Sequence, residues 1–264
     1  MHKGFFLFII LFFIVIININ QVKINEGFKC PKTQFELSPD LSEEDIYNLK
    51  KGQEIMTNLF REFDRICRKY DLKYWCCGGT FIGAIRHKGW VPWDGDIDVG
   101  MIEEDYIKFK NVSKNELPER MWIQDKITDN LYTSDICKLR DIYSSYTTDD
   151  NGKWGGLQLD IFLYNIDNDK LIIDTPSPPD IINHKYNDIF PLKELYFEDI
   201  KVYMPNKYKI YSNKFFEDYP PPLLPIEDRF PHEGRMNPYK PSKTMVKKYP
   251  NLYSNKRNLY SNYP

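Results

Sequence analysis

The stretch Gly78-Gly79-Thr80-Phe81-Ile82-Gly83-Ala84-Ile85-Arg86-His87-Lys88-Gly89-Trp90-Val91-Pro92-Trp93-Asp94-Gly95-Asp96-Ile97-Asp98 decides the reading of this chain. A glycine turn opens a short amphipathic segment, Phe81 to Lys88, and an acidic cluster then leads into an apolar strand. Asp96 and Asp98 alternate with Ile97 and Val99. Residues i and i+2 of a strand share a face, so the two carboxylates project together while their neighbours enter the core. Two ionised carboxylates held that close repel, and a cation between them relieves the repulsion. Oxygen ligands in an incomplete cage suit Mg²⁺ or Mn²⁺, with phosphate oxygens filling the remaining positions. Asp94, one bend upstream across Gly95, is a further candidate ligand.

A third acid on a neighbouring strand would complete the cage. Asp160, in Gln158-Leu159-Asp160-Ile161-Phe162, is a lone carboxylate between apolar residues, where an unpaired charge is costly. Against this stands a solvated turn plus one strand-edge Asp, which the aliphatic flanks disfavour. Gly78, Gly79 and Thr80 permit close backbone approach and present amides at a helix start, where anions bind. A tight strand-to-helix turn explains the same residues. Arg86 and Lys88 can grip phosphates or complement the helix C-terminus. Lys138 and Arg140, alternating on a strand, can face a donor or form a solvated face.

Net charge is −2 across 264 residues, which removes the electrostatic case for nucleic acid as a partner. Apolar residues make up 42% and aromatics 16%, enough for a packed core. At the N-terminus, Met1-His2-Lys3-Gly4 precedes an apolar run from Phe5 to Ile17. A basic start and a short apolar run read as secretory entry, cleaved or retained as a single-pass membrane anchor. The expected location is therefore the secretory pathway, the ER or Golgi lumen, or outside the cell if cleavage occurs. The five cysteines fit no zinc spacing; in a lumen some could pair, and an odd count leaves at least one over. Asn111-Val112-Ser113 is a glycosylation acceptor triplet.

The organisation follows as a signal or anchor over 1–20, a linker over 21–40, a catalytic domain over 41–225, and a Pro/Tyr/Asn-rich tail over 226–264. Ser42 caps a long amphipathic helix reaching about residue 70. Strands are expected at 72–77, 97–101, 122–124, 136–140, 157–163 and 171–173, and one more from Phe197 to Met204. Helices are expected from Thr80 to Lys88, from Glu103 to Val112, and from Asn206 to Tyr219. The fold class is α+β (mixed α/β): a mixed β-sheet flanked by helices, with a loop-rich C-terminal part.

The block from Gly79 to Asp98 resembles the signature of the LicD family, which includes fukutin and fukutin-related protein. Lys138-Leu139-Arg140-Asp141, Gly156 to Phe162, and Phe190-Pro191-Leu192-Lys193 extend the resemblance over roughly residues 55 to 225. The resemblance implies a nucleotidyltransferase-like fold and transfer of a phosphorylated alcohol, such as phosphocholine or ribitol phosphate, from a CDP-alcohol donor to a glycan or glycoprotein acceptor. It implies Asp96 and Asp98 as paired metal ligands and Asp160 as the third carboxylate. Gly79 and Thr80 would sit in the phosphate-binding turn. Position 95 departs from the family, which usually has Asp there. That departure supports an alternative: an inactive member acting as a glycan-binding or chaperone-like partner.

Overall fold

The computed structural model describes residues 35–147, 155–173, 183–216 and 218–253. The expectations for 1–20 and most of the linker lie outside these residues. Among the described residues no helix is long and apolar enough to cross a membrane. Residues Leu37 onward form one compact unit.

The first helix, α1 (Glu43–Lys69), starts where the sequence indicates. Ser42 and Asp45 form a reciprocal capping box, Glu43, Glu44 and Asp45 occupy the positive end, and Arg68 and Lys69 the negative end. Its buried stripe, including Met56, Leu59, Phe60, Phe63 and Ile66, packs on the sheet. Phe63 meets Tyr74 and Phe109 with ring centroids at 5.0 and 4.9 Å.

The sheet strands are β1 (Tyr74–Cys76), β2 (Ile97–Ile102), β3 (Met121–Gln124), β4 (Cys137–Asp141) and β6 (Gln158–Asp167). Their spatial order is β1-β2-β6-β4-β3, with β2 and β6 parallel and the other neighbours antiparallel. The far half of β6 pairs with β7 (Lys170–Ile172), which pairs with β8 (His184–Lys185). This is the mixed, helix-flanked sheet expected from the sequence. Helix α2 (Gly78–Ile82) follows β1, and α3 (Glu103–Glu116) carries the chain on from β2.

Three local expectations need correction. The helix after the glycine turn is not one continuous α-helix capped by Thr80. It begins at Gly78 after Cys77, then widens to a π-helical turn over Gly83–His87, and ends at Lys88 in the left-handed region at φ 60. The stretch from Phe197 to Met204 is not one strand: β9 (Lys193–Phe197) and β10 (Ile200–Met204) form a hairpin. Its turn places Glu198 at φ 52, without the Gly or Asn that usually signals such a turn. The helix expected from Asn206 to Tyr219 is shorter, running over Tyr208–Phe216. The segment from 226 is placed through Tyr253 and packs back on the domain: β11 (Met236–Asn237) pairs with β5 (Ser145–Tyr146), and Met236 and Met245 are buried. Cys67, Cys76, Cys77 and Cys137 are free and buried, so the lumenal pairing considered for them is not seen.

Asp125, at the end of β3, ties α3 to the loop that follows. Its carboxylate accepts from Tyr106 (2.7 Å), Lys110 (2.8 Å) and the amides of Ile127 (2.9 Å) and Thr128 (2.7 Å). Burial raises its pKa, but the Lys110 and amide hydrogen bonds outweigh that and hold it at about 2. The depressed value stabilises the fold above the unfolded carboxylate range, and the contribution is lost as pH falls through about 2. Asp125→Asn is expected to cost roughly 2 kcal/mol at pH 7. It should also flatten the acid limb of a stability–pH curve measured by urea unfolding.

Candidate metal centre

The parallel register of β2 on β6 places Asp98 beside Asp160, and the antiparallel register of β6 on β4 places Asp160 beside Lys138. Cross-strand partners stand on one face about 5 Å apart, so the three side chains form a row across the sheet. Asp96 lies one residue before β2, in the bend, rather than on the strand itself. It nevertheless turns to the same place: carboxylate oxygens of Asp96, Asp98 and Asp160 lie within 4.8 Å of one another.

The bend is held from outside. Gln53 on α1 donates to the carbonyls of Asp94 (3.0 Å), Pro92 (3.3 Å) and Val91 (3.4 Å). The Tyr146 hydroxyl donates to the Gly95 carbonyl at 2.7 Å. The glycine turn is fitted to the acids. A Cβ at Gly78 would overlap the Asp98 carboxylate, and one at Gly79 would overlap that of Asp94. Gly78 also has φ 48, where a side chain is strained. The Gly79 amide donates to Asp98 at 3.3 Å. Thr80 accepts the Asp98 amide at 2.8 Å, so its hydroxyl orients β2 instead of capping the helix.

Electrostatically Asp94, Asp96 and Asp98 are crowded. Burial, then repulsion from Asp98, Glu233, Asp94 and Asp160, pushes the Asp96 carboxyl well above the usual range. Burial, then Asp160, Asp94 and Glu233, does the same to Asp98. Asp94 is raised to about 7 by burial and Glu233. Asp96 is 6% exposed, and its Oδ1 has no hydrogen-bond partner among the described residues. A buried orphan oxygen among acids whose charges repel fits a divalent cation. Asp160 differs from expectation: its charge is not unpaired. Lys138 Nζ sits 2.6 Å from each of its oxygens, and Lys138 is 4% exposed.

A cleft of about 630 Å³ opens over the acids, lined by Asp96, Asp160, Lys138, Gln158, His232 and Glu233 among others. That size suits a nucleotide-sized ligand. Of the four cations expected to hold phosphates, Lys138 lines this cleft. Arg86 instead donates to the carbonyls of Pro221 (2.8 Å) and Pro222 (2.7 Å). Lys88 is exposed at the helix end. Arg140 is buried against Gln124, the carbonyls of Gly155 and Gly156, and Gln158. The Cys76 and Cys77 thiols near the acids are not candidate nucleophiles: burial pushes both well up.

His232 and Glu233 were not foreseen in the sequence. They come from the segment read as a tail, yet His232 pairs with Glu233, and both join Asp94 in a second group with ligand atoms within 4.8 Å.

A carboxylate centre on a mixed sheet beside a glycine turn is the arrangement of a nucleotidyltransferase-type domain. The chain matches the model of the family described as LicD/FKTN/FKRP, nucleotidyltransferase domain, over residues 71–207, and it belongs to that family. It is 37% identical over 136 residues to lipopolysaccharide cholinephosphotransferase LicD of Haemophilus influenzae, covering 51% of this chain and 48% of that protein. An uncharacterized protein of Rickettsia typhi, RT0683, is 31% identical over 150 residues, covering 56% of this chain and 40% of its own length. Ribitol 5-phosphate transferase FKRP of Homo sapiens is 47% identical over 34 residues, 13% of this chain and 7% of that protein. The chain thus aligns with about half or less of the curated relatives it matches. The solved structure of ANT(2″)-Ia with adenylyl-2″-tobramycin aligns at TM-score 0.36 and 15% identity, over 62% of this chain and 78% of that one, too distant to carry weight.

Proposed function

We propose that the chain is a metal-dependent transferase that moves a phosphorylated alcohol from a CDP-activated donor to a glycan acceptor, working in the secretory pathway. The relatives named for choline phosphate and ribitol 5-phosphate transfer support that substrate class. The observation that carries the reading is the convergence of Asp96, Asp98 and Asp160 around an orphan carboxylate oxygen.

Asp96, Asp98 and Asp160 would hold Mg²⁺ or Mn²⁺, which when bound neutralises the donor pyrophosphate and the leaving CMP. In the transfer, an acceptor oxygen bonds to the phosphorus that bears the alcohol. The bond from that phosphorus to the bridging oxygen breaks, and CMP leaves. Asp160 would complete that metal shell, or instead orient the acceptor hydroxyl and take its proton; Lys138 fixes its carboxylate from the adjacent strand. The Gly78–Gly79 turn leaves the acids room. Catalysis of this kind is chiefly positioning and charge stabilisation.

The test is a panel of CDP-linked alcohols incubated with the protein and Mn²⁺, following CMP. CMP release from at least one donor, abolished by a chelator, is the expected result. Nucleotide transferred onto the acceptor, with no free CMP, would assign a different reaction. Metal-dependent turnover would also set aside the reading of an inactive partner.

A further inference from the structure

The chain beyond the family match returns to the site. Glu233 lies after residue 207, where the match ends. Its side chain is 6% exposed, while that of His232 is 76% exposed at the cleft. The Glu233 carboxylate stands where a side chain at position 95 would project: a Cβ on Gly95 would overlap Glu233 Oε2 and meet Pro231 at 3.2 Å. A carboxylate is therefore present in the space that a family Asp at 95 would enter, delivered from another part of the chain.

We propose that Asp94, His232 and Glu233 form a second divalent-cation position adjoining the Asp96–Asp98–Asp160 centre, so that the C-terminal segment completes the site. The proposal rests on the function proposed above. One imidazole nitrogen and two carboxylates, with ligand atoms within 4.8 Å of one another, make a mixed N,O set suited to a transition ion such as Mn²⁺. Asp96 lines the same cleft as His232 and Glu233 and carries a buried oxygen with no hydrogen-bond partner among the described residues. One cation relieves the acids of one group; the acids of the other remain crowded against it. His232 pairs with Glu233, and ligation would replace that pair. The departure at position 95 then becomes a relocation of a carboxylate, not the loss of one.

The experiment counts bound Mn²⁺ on the full chain at fixed pH, from the electron paramagnetic resonance signal of the free ion. Wild type is expected to bind two ions. Glu233→Gln and His232→Ala should each retain one, with the other weakened at least about 10-fold. Asp98→Asn should lose the ion that those variants keep. His232 is exposed, so its replacement leaves folding intact, and thermal unfolding verifies this for both variants. If Glu233→Gln and His232→Ala bind as wild type does while Asp98→Asn fails, the second position is overturned and the first stands. If wild type binds one ion, lost only with Asp98, the result is the same. If wild type binds none, the primary metal reading falls and this one with it.

Discussion

Asp98→Asn is expected to lower metal-dependent CMP release by about 10³-fold while leaving the protein folded. Asp98 sits at the centre of the row on the sheet, beside Asp160 in register and within ligand distance of Asp96. The amide is nearly the same size and can still accept from the Gly79 amide. What it cannot do is bring a negative charge to a cation. The crowded acids make a second consequence unavoidable. Burial and repulsion from its acidic neighbours disfavour the charge on Asp98, so replacing it with an amide should stabilise the metal-free protein slightly, or leave it unchanged. Wild type should gain several degrees in melting temperature from Mn²⁺, and Asp98→Asn should gain far less. Activity lost together with the metal-induced shift, at unimpaired basal stability, identifies a ligand. Activity lost through misfolding would not.

Lys138→Met is expected to have the largest effect on stability. The ammonium lies 2.6 Å from both oxygens of Asp160, with both side chains buried. Methionine preserves the stem but strands the carboxylate, and breaking a buried pair from one side costs about 3–5 kcal/mol. For a domain of this size that is a fall of roughly 10 °C in melting temperature. Because a cation can supply the missing positive charge, Mn²⁺ should restore more of the variant's stability than it adds to wild type. Thermal unfolding with and without Mn²⁺ checks both parts. A drop of under about 1 kcal/mol, or no extra response to metal, would show that Lys138 does not govern the charge on Asp160.

Both predictions concern residues legible in the sequence, though not for the reasons first available. Alternation of Ile97, Asp98 and Val99 separates the acid from the core side chains by face, whereas Asp96 joins from the bend before β2. A strand pattern carries no register, however, so it could not reveal that Asp98, Asp160 and Lys138 are cross-strand neighbours. That is why Asp160 reads as an uncompensated charge until the antiparallel partner β4 is placed. Gly78 and Gly79 were legible as a turn, while the structure adds that their missing side chains make room for Asp98 and Asp94. Where local signals were strong, as in the Ser42 capping box, the boundary followed. Where a turn lacked its usual residues, as at Glu198-Asp199, a hairpin read as one strand. The contribution of His232 and Glu233 had no local signal at all. They lie among prolines and charged residues with no periodicity, and they reach the acids only because the 226–253 segment packs back on the domain through contacts such as β11 on β5.

The central claim is that Asp96, Asp98 and Asp160 hold a divalent cation beside the glycine turn. Anomalous diffraction from crystals grown with Mn²⁺ tests it most directly. An anomalous peak is expected among those three carboxylates, within about 2.0–2.6 Å of their oxygens. An ordered site with no peak there, or with the ion bound elsewhere and the three acids still crowded together, would contradict it.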